Sequence, residues 1–288
     1  NNFNGGASAT EMPAGPFVPA RSFPETKDSP NWTNVNPRLG VAYDVFGNGR
    51  TALKASLGRF TRYEIAAVDV PAGNQAASTT RTWNDANLNY VPDCDLRSPV
   101  ANGECGPWSD LTFGQFRAAN TRRAADALGG FNRQDYNWQS SVSVQQELLP
   151  NVALNVGYFR TWYGGFLATD NQLVAPSDFD SFCITVPEDR RLPNSGQRRC
   201  GLFDVRPSAF GLVDNLVTQA SRYGSQTQLF NGVDVTVNAR FAGSGQLSGG
   251  LSIGRTVTDN CYQNDDPSLL GPNAGATYPR TEAFCHLA

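Results

Sequence analysis

Between residues 137 and 163 the chain alternates with a period of two. Trp138, Ser140, Val142, Val144, Gln146 and Leu148 fall between Gln139, Ser141, Ser143, Gln145 and Glu147. After Pro150-Asn151 the alternation resumes, with Val152, Leu154, Val156, Tyr158 and Trp162 set against Ala153, Asn155, Gly157, Phe159 and Thr161. Period two predicts strands, and two strands joined by a tight turn predict a hairpin. The same pattern occurs twice more. In 38–60, Leu39, Val41, Tyr43 and Val45 lead through Gly47-Asn48-Gly49 to Leu53, Ala55 and Leu57; in 230–259, Val233, Val235, Val237, Ala239 and Phe241 lead through Gly243-Ser244-Gly245 to Leu247, Leu251, Ile253 and Val257.

Arm length separates two readings of these hairpins. Strands in globular proteins run about 5–6 residues, while a tilted strand crossing a bilayer needs about 9–11; the arms of the 137–163 hairpin have the second length. The turns are short, whereas the connections 61–136 and 164–229 and the segment 260–288 are long, beyond the usual ~4–6 residues of a compact domain. Short turns at one end and long loops at the other predict an all-β, antiparallel, up-and-down transmembrane β-barrel segment, with periplasmic turns and extracellular loops. The competing expectation is a secreted, disulfide-bonded β protein that binds glycans or surfaces and packs its apolar face against a second sheet.

The charges fit the membrane reading. Arg38, Asp44, Lys54, Glu147, Asp234 and Arg240 fall on the polar face, the lumen side of a barrel. The apolar face carries Arg59, Arg160 and Arg255, each near the top of an ascending strand. About ten residues at ~3.3 Å each and a tilt near 40° climb roughly 25 Å, the height of the apolar band. These three arginines are therefore expected at the membrane interface, pairing with outer-membrane lipid, with Tyr158, Trp162, Trp138 and Phe60 as an aromatic girdle. The other expectations are a bulge that turns them inward or plain solvation above the bilayer.

Composition adds limits. The 288-residue chain carries net charge −3 with scattered basic residues, which argues against a nucleic-acid partner. Its single His, His286, and the lack of GxSxG, HExxH and P-loop motifs predict that it is not an enzyme. The first twenty residues lack a signal-peptide pattern, so an export signal is expected outside this chain. All six cysteines fall in the connecting segments: Cys94 and Cys105, Cys183 and Cys200, Cys261 and Cys285. Fifteen pairings are open; pairing within each segment is favoured and implies an oxidising compartment. Asp85, Asn87, Asn89 and Asp93 stand at positions 1, 3, 5 and 9, with the Val91 carbonyl at 7, as in the first part of a calcium loop. The central glycine is missing and Leu96 stands where a bidentate glutamate belongs, so the expectations are bound calcium or an Asx-turn loop tied down by Cys94.

The phrases Asn36-Pro37-Arg38-Leu39-Gly40-Val41-Ala42-Tyr43-Asp44 and Leu53-Lys54-Ala55-Ser56-Leu57-Gly58-Arg59-Phe60 resemble the barrel strands of TonB-dependent outer-membrane receptors. The stretch from Trp83 to Cys94, together with Phe230-Asn231-Gly232-Val233-Asp234, resembles a large-looped subgroup that carries a carboxypeptidase-regulatory-like domain. The resemblance implies a barrel of about 22 strands around a plug, which imports a scarce extracellular ligand with energy supplied by the TonB complex. This chain shows no plug, no TonB box and about six strands, and is therefore expected to be an internal fragment of such a barrel. The ligand is not legible in it.

Overall fold

The computed structural model describes residues 2–62, 78–114, 121–192, 194–241, 245–270 and 285–287. The chain divides into two compact units, one made of Asn1–Asn2, Trp32–Glu64 and Arg123–Ala288, the other of Phe3–Asn31 and Ile65–Arg122.

The first unit is built on one antiparallel sheet. Its long strands are β1 (Arg38–Asp44), β2 (Thr51–Thr61), β3 (Tyr136–Leu149), β4 (Val152–Gly164), β5 (Thr227–Arg240) and β6 (Gln246–Asp259), with a short β7 (His286–Leu287) at the edge. Spatial order follows chain order from β1 to β7, so the sheet is an up-and-down meander. The three expected hairpins are β1–β2, β3–β4 and β5–β6. Among the described residues the sheet does not close on itself, and β1 and β7 are its edges.

The two described turns are fixed by local chemistry. Gly47 and Gly49 adopt φ of 66° and 73°, a region that costs glycine nothing, and Asn151 sits at φ 66° after Pro150. The Asp44 carboxylate accepts from the Gly49 amide at 2.7 Å, and Asn48 Oδ1 accepts from the Arg50 amide at 3.0 Å. The third expected turn, at Gly243-Ser244, lies outside the described residues.

Registers align the side chains into rows that cross the whole sheet. One row reads Tyr43, Leu53, Val144, Val156, Val235 and Leu251, and the next Val41, Ala55, Val142, Tyr158, Val233 and Ile253. On the opposite face the rows read Ala42, Lys54, Ser143, Gly157, Asp234 and Ser252, then Gly40, Ser56, Ser141, Phe159, Gly232 and Gly254. Phe60 lies over Gly58, Phe159 over Gly157, and Phe230 over Gly232 and Gly254, filling the space a Cβ would take. Phe60 thus belongs to the polar face, where Arg38 stacks on its ring at 4.6 Å, and not to the expected girdle.

No second layer of described residues covers the apolar face. Val142 is 49%, Leu251 63% and Ile253 66% exposed. A soluble sandwich would bury these side chains between sheets, so the expectation of a second packed sheet is not met. In the first unit the substantial burial lies elsewhere, above the strand tops.

Two outcomes are expected. Val156→Arg, in a mid-height apolar row, should destabilise the folded protein in lipid by about 2–4 kcal/mol, while Asn155→Arg on the polar face should cost far less. Urea titration in lipid vesicles reads both. Equal losses would mean that the faces are assigned wrongly.

Candidate functional site

Above the strand tops of the first unit, Leu167–Asn171 pairs with Asn215–Gln219 and with Leu269–Leu270. Ala168, Thr169, Thr218, Ala220 and Leu269 are buried here, with the short helix Ala125–Leu128 presenting buried Ala127. Two carboxylates organise the polar part. Asp126 accepts from Thr218 Oγ1 at 2.9 Å and pairs with Arg222 Nε at 2.7 Å. Asp170 accepts from Tyr223 Oη at 2.9 Å and Gln172 Nε2 at 2.5 Å. Burial and the bond to Asp170 push the Tyr223 phenol well above its ordinary value, so it stays a donor. A ribbon, Phe179–Thr185 against Arg198–Val205, projects Phe182 and Ile184 into solvent and is cross-linked by Cys183–Cys200. Cys261–Cys285 joins the top of β6 to the segment leading into β7.

In the second unit, Thr10–Met12 pairs with Arg21–Phe23, and Arg21 Nη1 donates to the Gly114 carbonyl at 3.1 Å. The third bridge, Cys94–Cys105, brings Glu104 against the loop that starts at Trp83. Each cysteine therefore pairs with the other one of its own connecting segment.

The candidate calcium residues form a hydrogen-bonded loop. Asp85 accepts from the amides of Asn89 (3.2 Å) and Tyr90 (2.9 Å), Asn87 Oδ1 from the Asn89 amide (3.0 Å), and Asn89 Oδ1 from the Val91 amide (2.7 Å). These are Asx turns, and they hold Leu88 and Tyr90 at φ of 59° and 60°. Asp93 Oδ2 accepts from Asn87 Nδ2 and Asn89 Nδ2. A cation at that point would need both carboxamides to present oxygen instead. Among the described residues no three Asp, Glu, His or Cys side chains are placed to hold a metal ion.

Glu104 was not singled out by spacing. It accepts from Trp83 Nε1 at 3.2 Å, from the Ala86 amide at 2.9 Å and from the Asp93 amide at 3.3 Å. Its one signal in the sequence is adjacency to Cys105, which sets it opposite Asp93 once the bridge closes.

The three arginines of the apolar face separate. Arg160 and Arg255 share one cross-strand row, Leu57, Ser140, Arg160, Asn231 and Arg255, immediately above the aliphatic rows. Arg59 stands one row higher, paired with Trp138, which pairs with Trp162. It is only 4% exposed: Nη1 donates to the carbonyl of Val35 (3.0 Å) and to Oδ1 of Asn36 (3.1 Å) and Asn132 (2.9 Å), and the guanidinium covers the Tyr136 ring. The expected ring of three is thus a row of two, because the segments around Asn36 and Asn132 fold over Arg59. The stacked rings of Trp138 and Trp162, 6.1 Å apart and 10° from parallel, occupy the girdle level.

On the polar face, a cavity of about 620 Å³ opens near the turns, lined among others by Arg50, Lys54, Gln145, Glu147, Asn238 and Arg240. Lys54 Nζ donates to Gln145 Oε1 at 2.9 Å, and Arg50 Nε stands 3.7 Å from Glu147.

Two further outcomes are expected. The Trp83 indole, followed by the Ala86 and Asp93 amides, holds the Glu104 carboxyl below its ordinary value. A depressed acid stabilises the loop above its unfolded pKa and loses that contribution as pH falls through the folded one. Trp83 fluorescence, isolated by difference against Trp83→Phe, should therefore change on acidification below about pH 4, and Glu104→Gln should remove that transition. Arg59→Ala strands three oxygen acceptors and should cost about 1–3 kcal/mol in urea unfolding.

No curated protein matches the chain, and no solved structure does. The family model of the outer membrane beta barrel domain matches residues 1–273. Rows of exposed aliphatic side chains on one face, small and polar residues on the other, and short turns opposite long loops agree with a strand-built membrane wall. The chain belongs to the outer membrane beta barrel domain family, and its site of action is the bacterial outer membrane.

Proposed function

We propose that this chain supplies six barrel strands and the outward loops of a TonB-dependent receptor that binds and imports a scarce extracellular ligand. The observation that carries the reading is the loop architecture. The connection 164–229, together with the helix that bears Asp126 and the segments around Cys261 and Cys285, carries a small core of its own, two carboxylate-centred networks and two disulfides. A passive pore needs no such structured cap, whereas a receptor needs loops ordered before the ligand arrives, because ordering on binding costs affinity. β7 reaches only Thr258 and Asp259 of β6, so at the level of the apolar rows the edges among the described residues are β1 and β6; they call for further strands, since an open edge in hydrocarbon leaves backbone groups unpaired.

A plugged receptor and an open channel differ in conductance. Full-length protein bearing this chain, reconstituted in a planar bilayer, should give no steady ion conductance, and the purified periplasmic domain of TonB should capture it from detergent extracts. Steady conductance with no TonB capture would identify a diffusion pore instead.

A further inference from the structure

We infer that Arg160, Asn231 and Arg255 form a binding site for the phosphate group of an outer-leaflet lipid. The inference rests on the membrane family and the register, not on import, and it stands or falls separately from the transport reading.

The three residues come from adjacent strands, β4, β5 and β6, and lie directly opposite one another: Arg160 pairs with Asn231, and Asn231 with Arg255. Neighbouring strands are about 4.8 Å apart, so the two arginine backbones stand about 10 Å apart with Asn231 between them. Both side chains leave the sheet on the apolar face, and both arginines are exposed. Among the described residues no carboxylate reaches either guanidinium; the recorded side-chain partner of Arg160 is the Trp162 ring, 5.9 Å away. Tyr158 Oη donates to Asn231 Oδ1 at 2.7 Å, which leaves the Asn231 NH₂ group to donate outward. The row is thus a run of donors, guanidinium, amide and guanidinium, with no acid to answer it.

Height selects the occupant. From Val152 up to Arg160, β4 climbs about 20 Å at ~3.3 Å per residue and a tilt near 40°. The rows on the way up the apolar face are mostly Val, Leu, Ile and Tyr; the next row up carries the stacked tryptophans. This is the level at which acyl chains end and headgroups begin, on the side of the long loops. Two positive charges held side by side at the rim of a low-dielectric layer repel each other, and an anion between them reverses the sign of that interaction. Guanidinium forks match phosphate oxygens in geometry, and the headgroup layer supplies phosphate at this height. Arg59 has the same parity but takes no part, because its donors are spent on Val35, Asn36 and Asn132.

The test titrates delipidated, detergent-solubilised full-length protein by native mass spectrometry, with a diphosphorylated glycolipid and with the same lipid after phosphatase treatment. The phosphorylated lipid should bind more tightly. The double variant Arg160→Gln/Arg255→Gln should lose at least about tenfold for that lipid and nothing for the dephosphorylated one. Asn231→Asp keeps both guanidiniums but sets an anion between them, and should weaken the phosphorylated lipid alone; it decides the matter if the double variant does not fold. Arg199→Gln, on the half-buried side of the loop ribbon, should change nothing. Equal wild-type affinity for the two lipids, an unaltered Asn231→Asp, an equal loss in Arg199→Gln, or full competition by inorganic phosphate would each overturn the assignment.

Discussion

The structure depends on the cross-strand register. In hydrocarbon a backbone amide or carbonyl has no solvent partner, so each strand must satisfy its neighbours completely. Because side chains alternate with period two, a slip of one residue would send a whole strand's apolar set to the wrong face. Above a one-residue register shift at Val152/Ala153, all five joints between β1 and β6 are in phase, so Tyr43, Leu53, Val144, Val156, Val235 and Leu251 line up across six strands. The same phase puts Lys54, Ser143, Gly157 and Asp234 on the other side. Glycines at 58, 157, 232 and 254 would leave gaps there, and the rings of Phe60, Phe159 and Phe230 lie flat over them. That packing gives the polar face van der Waals contact without a second layer.

Cohesion is divided between the two ends of the sheet. The strands rely on the backbone ladder and on lipid, while the outer segments rely on cross-links and on polar hubs that substitute for a large core. A disulfide closing a loop of about 15 residues contributes about 3 kcal/mol in the chain-entropy account, and each outer segment holds one bridge. Asp126 gathers Thr218 and Arg222, and Asp170 gathers Tyr223 and Ser268, from distant parts of the chain. Few side chains there are large and apolar; buried Thr218, Thr169 and Gln219 show that hydrogen bonds fill the role.

The strands were legible because period two is a local signal that survives without knowledge of the partner. What lies above the strands was not. Leu167–Asn171 and Asn215–Gln219 read as LATDN and NLVTQ, with neither alternation nor turn residues to mark them, and they pair across more than forty positions. Parity alone set Arg59, Arg160 and Arg255 together, yet Val35, Asn36 and Asn132 arrive from two other parts of the chain to claim the first. Phe60 shows the reverse: counting from Leu53 assigns it to the polar side, and only the general expectation of a girdle suggested otherwise. Glu104 was hidden because its role exists only when Cys94 and Cys105 are joined.

The charges of the polar face have a different standing from those of the loops. Arg50 and Glu147 are 3.7 Å apart, the first largely solvated and the second partly so, a geometry worth about 0–1 kcal/mol. Lys54 is met by a neutral amide, and Arg240, on the same cavity wall, lacks a recorded partner among the described residues. These cations therefore contribute little to holding the sheet together. In the loops, by contrast, Asp126 and Asp170 are tied into several bonds each, and removing one would strand its donors. Charge near the turns is left open on the polar face, whereas these two loop carboxylates are committed to structure. What the cross-linked ribbon leaves open above the strands is a different set of side chains, Phe182, Ile184 and Arg198, and not the carboxylates that hold the cap in place.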